Sequence, residues 1–414
     1  ALIELRFGPQ SPLLLQATTS LAYCYLQAGR VEEATDALVR VQQTLESRGE
    51  DQDFNALTTQ SNLGATLVRA GRTSEGLLML ERSRGGLLQT VQADHPQTLT
   101  IEVNLAAAYL QVGRAREALD IYERVLAKRV AVLAPTDRSL MKTRRGVAAA
   151  LRGLGRLAES ASVLERLTQD ADMILGQDDP DALTFWNDLA AVYRRMGRND
   201  ESVEVDRRLL LARSEELGGV HPDTMMSRNN LAVSYGDLGR VEEGLVLLKE
   251  NLEESEKHLG VAHVDTLQAR YNLATRLQVA GKTAEAIALQ EKNLEVAPST
   301  VAPSHPIILQ SRNGLGTAYI SYGLAEKAVP VLEQNLAERV RMLGPDHRDT
   351  VVSRMNLAAA LEAAGEIGKV LRLLEDNLAR AERELGISNR QTVVYRVDLV
   401  CQREWLRLRG RKQR

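Results

Sequence analysis

Hydrophobic positions in this chain recur with two periods at once. Locally, leucine, alanine and tyrosine return every three or four residues, the spacing of one face of an α-helix. Over a longer range the whole pattern returns every 42 residues, in register with Gly29, Gly71, Gly113, Gly155, Gly197, Gly239, Gly281, Gly323 and Gly365. Eight positions before each glycine stands leucine or valine, as at Leu21, Leu63, Leu105, Val147 and Leu357, and the next residue is always alanine or glycine. Four before the glycine stands tyrosine or leucine, as at Tyr109, Leu151, Tyr193, Tyr235 and Tyr319. Glycine suits the left-handed residue that ends a helix, so each unit is predicted to be a first helix, a tight turn at the glycine, and a second helix.

Flanking residues refine the boundaries. Pro96, Pro180, Pro222 and Pro306 open first helices, where a missing N–H costs nothing. Thr73, Asn199 and Thr283, two after their glycines, are predicted to cap second helices, and glutamates such as Glu33, Glu117, Glu201 and Glu243 fall where a helix N-terminus favours negative charge. Pro298 is predicted to end the second helix of the seventh unit early, and Pro330 to disturb that of the eighth, giving a local bend.

A period this regular means a stacked array, because one hairpin buries only part of its apolar surface and needs neighbours on both sides. The stretch HPDTMMSRNNLAVSYGDLGRVEEG, residues 221 to 244, resembles the tetratricopeptide repeat in the longer, 42-residue form found in kinesin light chains and many bacterial arrays. The resemblance implies an all-α solenoid, a right-handed superhelix of helix-turn-helix hairpins whose first helices line a concave groove. It covers residues 1–414 as a single array of about nine repeats, closed by a capping helix at 388–409. The opening at Ala1, without methionine and with helix-like sequence close behind, is expected of a piece of a longer protein.

Composition narrows the chemistry. Aromatics are only 4%, so helices pack through aliphatic side chains, and a net charge of −3 with a sequence pI near 6.2 predicts neither general nucleic-acid affinity nor attraction to an anionic membrane. No apolar run approaches the roughly 20 residues of a membrane span, and no signal peptide opens the chain, so a cytoplasmic setting is expected. Cys24 and Cys401, far apart and without CxxC spacing, read as small core residues.

Five histidines, His95, His221, His263, His305 and His347, share one repeat position. Copies one repeat apart are too distant to share an ion, so they are expected to shape the starts of first helices, with no metal site. No catalytic motif breaks the repeat pattern, so no enzyme activity and no cofactor is expected.

About 100° per residue sorts the first helix into two faces. Positions 13, 10, 9, 6, 3 and 2 before the glycine face the groove, and positions 11, 8, 7 and 4 pack. Arg144, Arg228, Arg270, Arg312, Arg354 and Arg396, eleven before a glycine or its equivalent, therefore belong to the packed face, near residues such as Glu253 or Glu295. Kinesin light chains tend to carry an aliphatic residue there, so a close transfer of their ligand specificity to this chain is not expected.

Groove asparagines, among them Asn62, Asn104, Asn187, Asn229, Asn230, Asn272, Asn313 and Asn356, form a ladder whose amides both donate and accept, as an extended peptide backbone requires. The family resemblance implies the same role; bonding between neighbouring helices is the alternative. The groove cations are Arg69, Lys142, Arg145, Arg152, Arg194 and Arg195, five of them in units four and five with only Asp188 for an anion, an expected local charge of +4. The leading expectation is thus a noncatalytic scaffold that holds an extended, acidic segment of a partner protein. The alternative is the sensor arm of a larger signalling protein whose nucleotide-binding switch or protease lies outside this chain. Single-stranded nucleic acid is not expected, since the groove offers few stacking aromatics beyond Tyr23 and Tyr271.

Overall fold

The computed structural model describes residues 11–27, 30–50, 53–69, 72–90, 94–345, 348–384, 396–397 and 399–400. Among them stand eighteen α-helices and no strand, an all-α solenoid of nine helical hairpins. The first four hairpins are α1 (Pro12–Gln27) with α2 (Val31–Ser47), α3 (Phe54–Arg69) with α4 (Thr73–Thr90), α5 (Pro96–Gln111) with α6 (Ala115–Val132), and α7 (Arg138–Gly153) with α8 (Leu157–Leu175). Next come α9 (Pro180–Met196) with α10 (Asn199–Leu217), and α11 (Pro222–Asp237) with α12 (Val241–Leu259). The last are α13 (Val264–Val279) with α14 (Thr283–Val296), α15 (Pro306–Ser321) with α16 (Ala325–Leu343), and α17 (Arg348–Ala363) with α18 (Ile367–Glu384). The chain divides into two compact units, Ala1–Leu209 and Leu210–Arg414, with the boundary inside α10.

Each hairpin turns as the glycine register predicts. The seven repeat glycines among the described residues have φ between 74° and 83°; Gly29 and Gly71 lie outside them. At Gly197 the glycine N–H reaches the Arg194 carbonyl (3.0 Å) and the next N–H, of Arg198, reaches back to the Tyr193 carbonyl (2.9 Å), which closes the helix end with backbone alone. The residue after the glycine then adds a clasp that the sequence reading did not see. In the fifth repeat Arg198 lies 4.1 Å over the Tyr193 ring and bonds Glu201 at 2.9 Å, and Arg114 repeats this with Tyr109 and Glu117.

This closure corrects the predicted caps. Thr73, Asn199 and Thr283 are the first residues inside their helices, and Lys282, just before Thr283, makes no side-chain capping bond. The start of a second helix is fixed by the preceding backbone turn, so it needs no hydroxyl cap. Six first helices do have a side-chain cap from histidine or aspartate: the Nδ1 atoms of His95, His221, His263 and His305 accept the N–H two residues on at 3.2–3.3 Å, as Asp137 and Asp179 do with carboxylates. His347 lies outside the described residues.

Small residues seven before the glycine let the two helices of a hairpin touch. A Cβ on Gly76 would come within 2.5 Å of the Gly64 carbonyl oxygen, and Ser160 Oγ donates to the Ala148 carbonyl at 2.7 Å. Around this contact the leucine and tyrosine columns close the core: Leu105, Tyr109, Leu119, Val147 and Leu151 form one buried cluster, and Leu315, Tyr319, Leu332, Leu357 and Leu361 another. In the first hairpin Leu21 is 47% exposed and Cys24 is exposed, contrary to the expected core role. Their equivalents Leu105 and Ala108 pack with Leu80 of the preceding hairpin, and no described helix precedes α1. Cys401 lies outside the described residues.

Of the two prolines, Pro298 acts as predicted: α14 stops at Val296 and a 3₁₀ turn, Ala297–Ser299, follows. Pro330 does not, for α16 runs unbroken past it. Pro330 is exposed, and burial of its neighbours Ala328, Val329 and Leu332 holds the helix despite one missing hydrogen bond. The proposed capping helix, 388–409, falls mostly outside the described residues; the described part is helical, and Leu399 there is buried against Val370 and Leu374. No helix among the described residues is long and apolar enough to cross a membrane.

Candidate functional site

The first helix of each hairpin is buried over most of its circumference. Residues 8, 7 and 4 before the glycine are buried from α3 to α16's partner α15, and so are those 12 and 5 before it in most repeats, for example Ser227 and Ser234. What remains open is a stripe at positions 13, 10, 9, 6, 3 and 2, the face assigned to the groove.

Of the arginine column, Arg270 and Arg354 are buried, Arg144, Arg228 and Arg312 are half-buried, and Arg396 is exposed. Arg270 is 1% exposed and donates to Asn293 Oδ1 (2.8 Å), to the Val261 carbonyl (3.3 Å) and to Glu256. Arg228 bonds Asn251 Oδ1 (2.8 Å) and Glu254 (3.0 Å), Arg144 bonds Asp170 (3.0 Å), and Arg396 bonds Glu382 (2.6 Å). Arg312 and Arg354 reach the carbonyls of Pro303 and Pro345. The partners are therefore not Glu253 and Glu295. A second column, Asn251, Asn293, Asn335 and Asn377, buried at 42-residue spacing in the second helices, supplies amides that the sequence reading overlooked. Where the arginine is replaced, the site stays polar and closed: Glu102 is buried and held by Arg84 and Arg124 (3.0 Å each), and Trp186 donates to Asp172 beneath Arg208.

The five central cations lie on the open stripe, but they are not free. Arg145 Nε bonds Asp188 Oδ2 (2.5 Å), and Arg152 stands 3.8 Å from the other Asp188 oxygen. Lys142 lies 3.3 Å from Asp181, Arg194 pairs with the buried Asp206 at 2.7 Å, and Arg195 donates to the Arg152 carbonyl (3.0 Å). Five cations against three aspartates leave an excess of two positive charges, half of the four expected. The error has a physical source: Asp181 and Asp206 reach the stripe from outside it, one from the first turn of α9 and one from α10. Asp206 was visible in principle, since its column elsewhere reads Leu38, Leu80, Tyr122, Leu164, Leu248, Gln290 and Leu332. Arg138 was also missed; it bridges Asp179 and Asp181. Burial alone would raise the Asp179 carboxyl, but the hydrogen bonds from Arg138 and the Asp181 N–H outweigh it and hold the group below its ordinary value. The Arg69 side chain lies outside the described residues.

The predicted asparagines divide. Asn187 and Asn230 are half-buried and already have partners within the protein. Asn272 accepts from Gln268 (3.0 Å), and Asn313 accepts from Asn356 of the next hairpin (2.7 Å), so part of the ladder does bond neighbouring helices. Asn229 is half-buried on the same stripe of α11. In the first three hairpins the stripe widens into a cleft of about 1010 Å³, including space open to solvent, against about 150 Å³ beside Arg145, Arg152 and Asp188. Its lining includes Tyr23, Leu26, Asn62, Ala65, Val68, Asn104 and Ala107.

Models of the tetratricopeptide repeat match residues 55–131, 97–172, 181–253, 225–299 and 308–349. No curated protein matches the chain. Among solved structures, a putative kinesin light chain of Podosopora anserina with nearly identical TPR-like repeats is 27% identical, covering 50% of this chain and 99% of that one, with a TM-score of 0.46. BtubC (BKLC) from P. vanneervenii is 20% identical over 59% of this chain and 92% of its own, TM-score 0.41. A Rap protein complexed with competence and sporulation factor is 12% identical over 85% and 99%, TM-score 0.44.

Proposed function

The chain belongs to the tetratricopeptide repeat family, and on that premise we propose that it is a noncatalytic scaffold that holds an extended segment of a partner protein along the open stripe of its first helices. The observation that carries this reading is the stripe itself: in each compact unit, taken by itself, the columns 8, 7 and 4 before the glycine are buried in most described first helices, while most residues at 13, 10, 9, 6, 3 and 2 stay accessible. In the first compact unit the excess of cations at Lys142, Arg145, Arg152, Arg194 and Arg195 favours carboxylates or phosphates on the partner. An incoming acid exchanges with Asp188 or Asp181 for a guanidinium or ammonium group rather than meeting a bare charge. Each such pair contributes only about 0.2–1 kcal/mol, so several act together and salt weakens them. In the second unit, taken by itself, Asn229, Asn230, Asn272 and Asn313 suit the N–H and C=O groups of a peptide backbone.

A labelled decapeptide alternating aspartate and serine tests the charge reading by fluorescence anisotropy. Lys142→Glu with Arg195→Glu, two exposed sites, is expected to weaken its binding at least tenfold, and raising salt from 50 to 300 mM is expected to weaken it in the unaltered protein. Arg194 is left unchanged, because a glutamate there would face the buried Asp206. Binding that neither the reversal nor salt alters would exclude the central cations as the acidic site.

A further inference from the structure

We infer that the cleft of the first three hairpins is a separate binding site, one that takes an uncharged extended segment and seats an apolar side chain between Asn62 and Asn104. The inference rests on the reading of the stripe as a peptide groove, and it gives that groove a second chemistry.

Three observations carry it. Among the described residues, none that lines the cleft is charged, in contrast to the stripe of α7 and α9. Against these described lining residues a charged ligand group would lose water and gain no partner. Most of its lining is apolar, and small or exposed residues leave room: Tyr23 is 63% exposed, and Ala65 and Ala107 stand on successive first helices. Lastly, the amides of Asn62 and Asn104 face this cleft, and neither side chain has a hydrogen-bond partner among the described residues, whereas Asn272, Asn313 and Asn356 do.

The two amides are also spaced for a backbone. They hold the same position on α3 and α5, which pack directly on each other, and packed helices stand about 8–10 Å apart. Extended chain advances about 3.3 Å per residue, so one amide meets the peptide group about three residues from the other's. Two residues then lie between the bonded groups, and because side chains alternate along an extended chain one of the two turns toward Ala65 and Ala107.

The test uses the whole chain and two labelled nonapeptides, one alternating leucine with serine and one alternating aspartate with serine. Ala107→Lys, at an exposed position, is expected to weaken the leucine peptide at least tenfold, and Asn62→Ala with Asn104→Ala severalfold. Lys142→Glu with Arg195→Glu is expected to leave that peptide unchanged and to weaken only the aspartate peptide. Ala65→Lys provides a second lining variant, and circular dichroism verifies that each is folded. Leucine-peptide binding that survives both lysine variants overturns the cleft site. Binding lost instead on charge reversal overturns it too, while leaving the peptide groove standing. Binding of neither peptide overturns both readings. A dimer in sedimentation that Ala107→Lys dissociates would give the cleft to a second copy of the chain and overturn the assignment to a peptide.

Discussion

At Arg270 a full positive charge sits 1% exposed, held by an amide, a carbonyl and a carboxylate. Arg312 occupies the same column, yet it is half-buried and reaches the Pro303 carbonyl at 3.4 Å. Removing the first strands Asn293 Oδ1 and Val261 O inside the protein; removing the second strands little. Arg270→Ala is therefore expected to cost on the order of 1–3 kcal/mol in urea unfolding, and Arg312→Ala clearly less. Equal losses would mean that packing of the arginine stem, not its hydrogen bonds, carries the column. A second expectation concerns His305. Burial pulls its pKa below the ordinary histidine value, and Nδ1 accepts the Ile307 N–H only while unprotonated. Its contribution is complete above about pH 6.5 and is lost as the pH falls through the lower, folded value. Relative to His305→Ala, the native cap is expected to add about 1 kcal/mol at pH 8 and less at pH 5. His305→Asp, which copies the caps at Asp137 and Asp179, should hold its gain across that range. Melting temperatures at the two pH values check both. The column positions were legible in the sequence because one helix fixes them. Their partners were not, because those come from other helices at separations that periodicity does not report.

The joint between successive hairpins shows the same limit at the scale of elements. Nine residues after the glycine most second helices place a leucine, and the following first helix places an asparagine or aspartate nine before its own glycine in many repeats. Where the second helix carries Tyr122 the next helix has Gly146, and where it carries Gln290 the next has Gly314. A Cβ on Gly146 would meet the Tyr122 ring at 2.3 Å, and one on Gly314 would meet Gln290 Nε2 at 2.8 Å. Bulk on one helix is matched by its absence on the other. Gly146→Ala is expected to destabilise by about 1–3 kcal/mol, and Tyr122→Leu is expected to recover part of that loss. A double-mutant cycle that shows simple additivity would refute the pairing. The glycine period predicted the helices and their turns, since it is written along one strand of sequence. It could not predict the joint, or the aspartates that quench the central cations, because both depend on which residue of one helix lies against which of another.

Within each compact unit, the most extensive helix packing among the described residues joins helices of the same or adjacent hairpins, so damage should stay local. Gly146→Ala is expected to speed amide hydrogen exchange in α6 to α8 while leaving α13 to α18 at native rates, as mass spectrometry of peptic fragments would show. A uniform increase would mean that the array opens as one cooperative body. The stripe along the first helices was legible from helical geometry, but its division into an uncharged cleft and a paired charge cluster was not. That division depends on free volume and on acids contributed from off the stripe, neither of which a count of positions contains.

The arginine clasp at the turns has a consequence for how such a chain changes over generations. Arg198, Tyr193, Gly197 and Glu201 lie within nine residues and complete one another inside a single repeat, as Arg114 does with Tyr109 and Glu117. A segment of DNA that duplicates or deletes one whole repeat carries the finished turn with it. The Tyr122 and Gly146 pair straddles a boundary, so the same event with a breakpoint between them would set a tyrosine against an asparagine or give a leucine an empty notch. Insertions that keep this pair together should therefore be inherited more readily than those that part it.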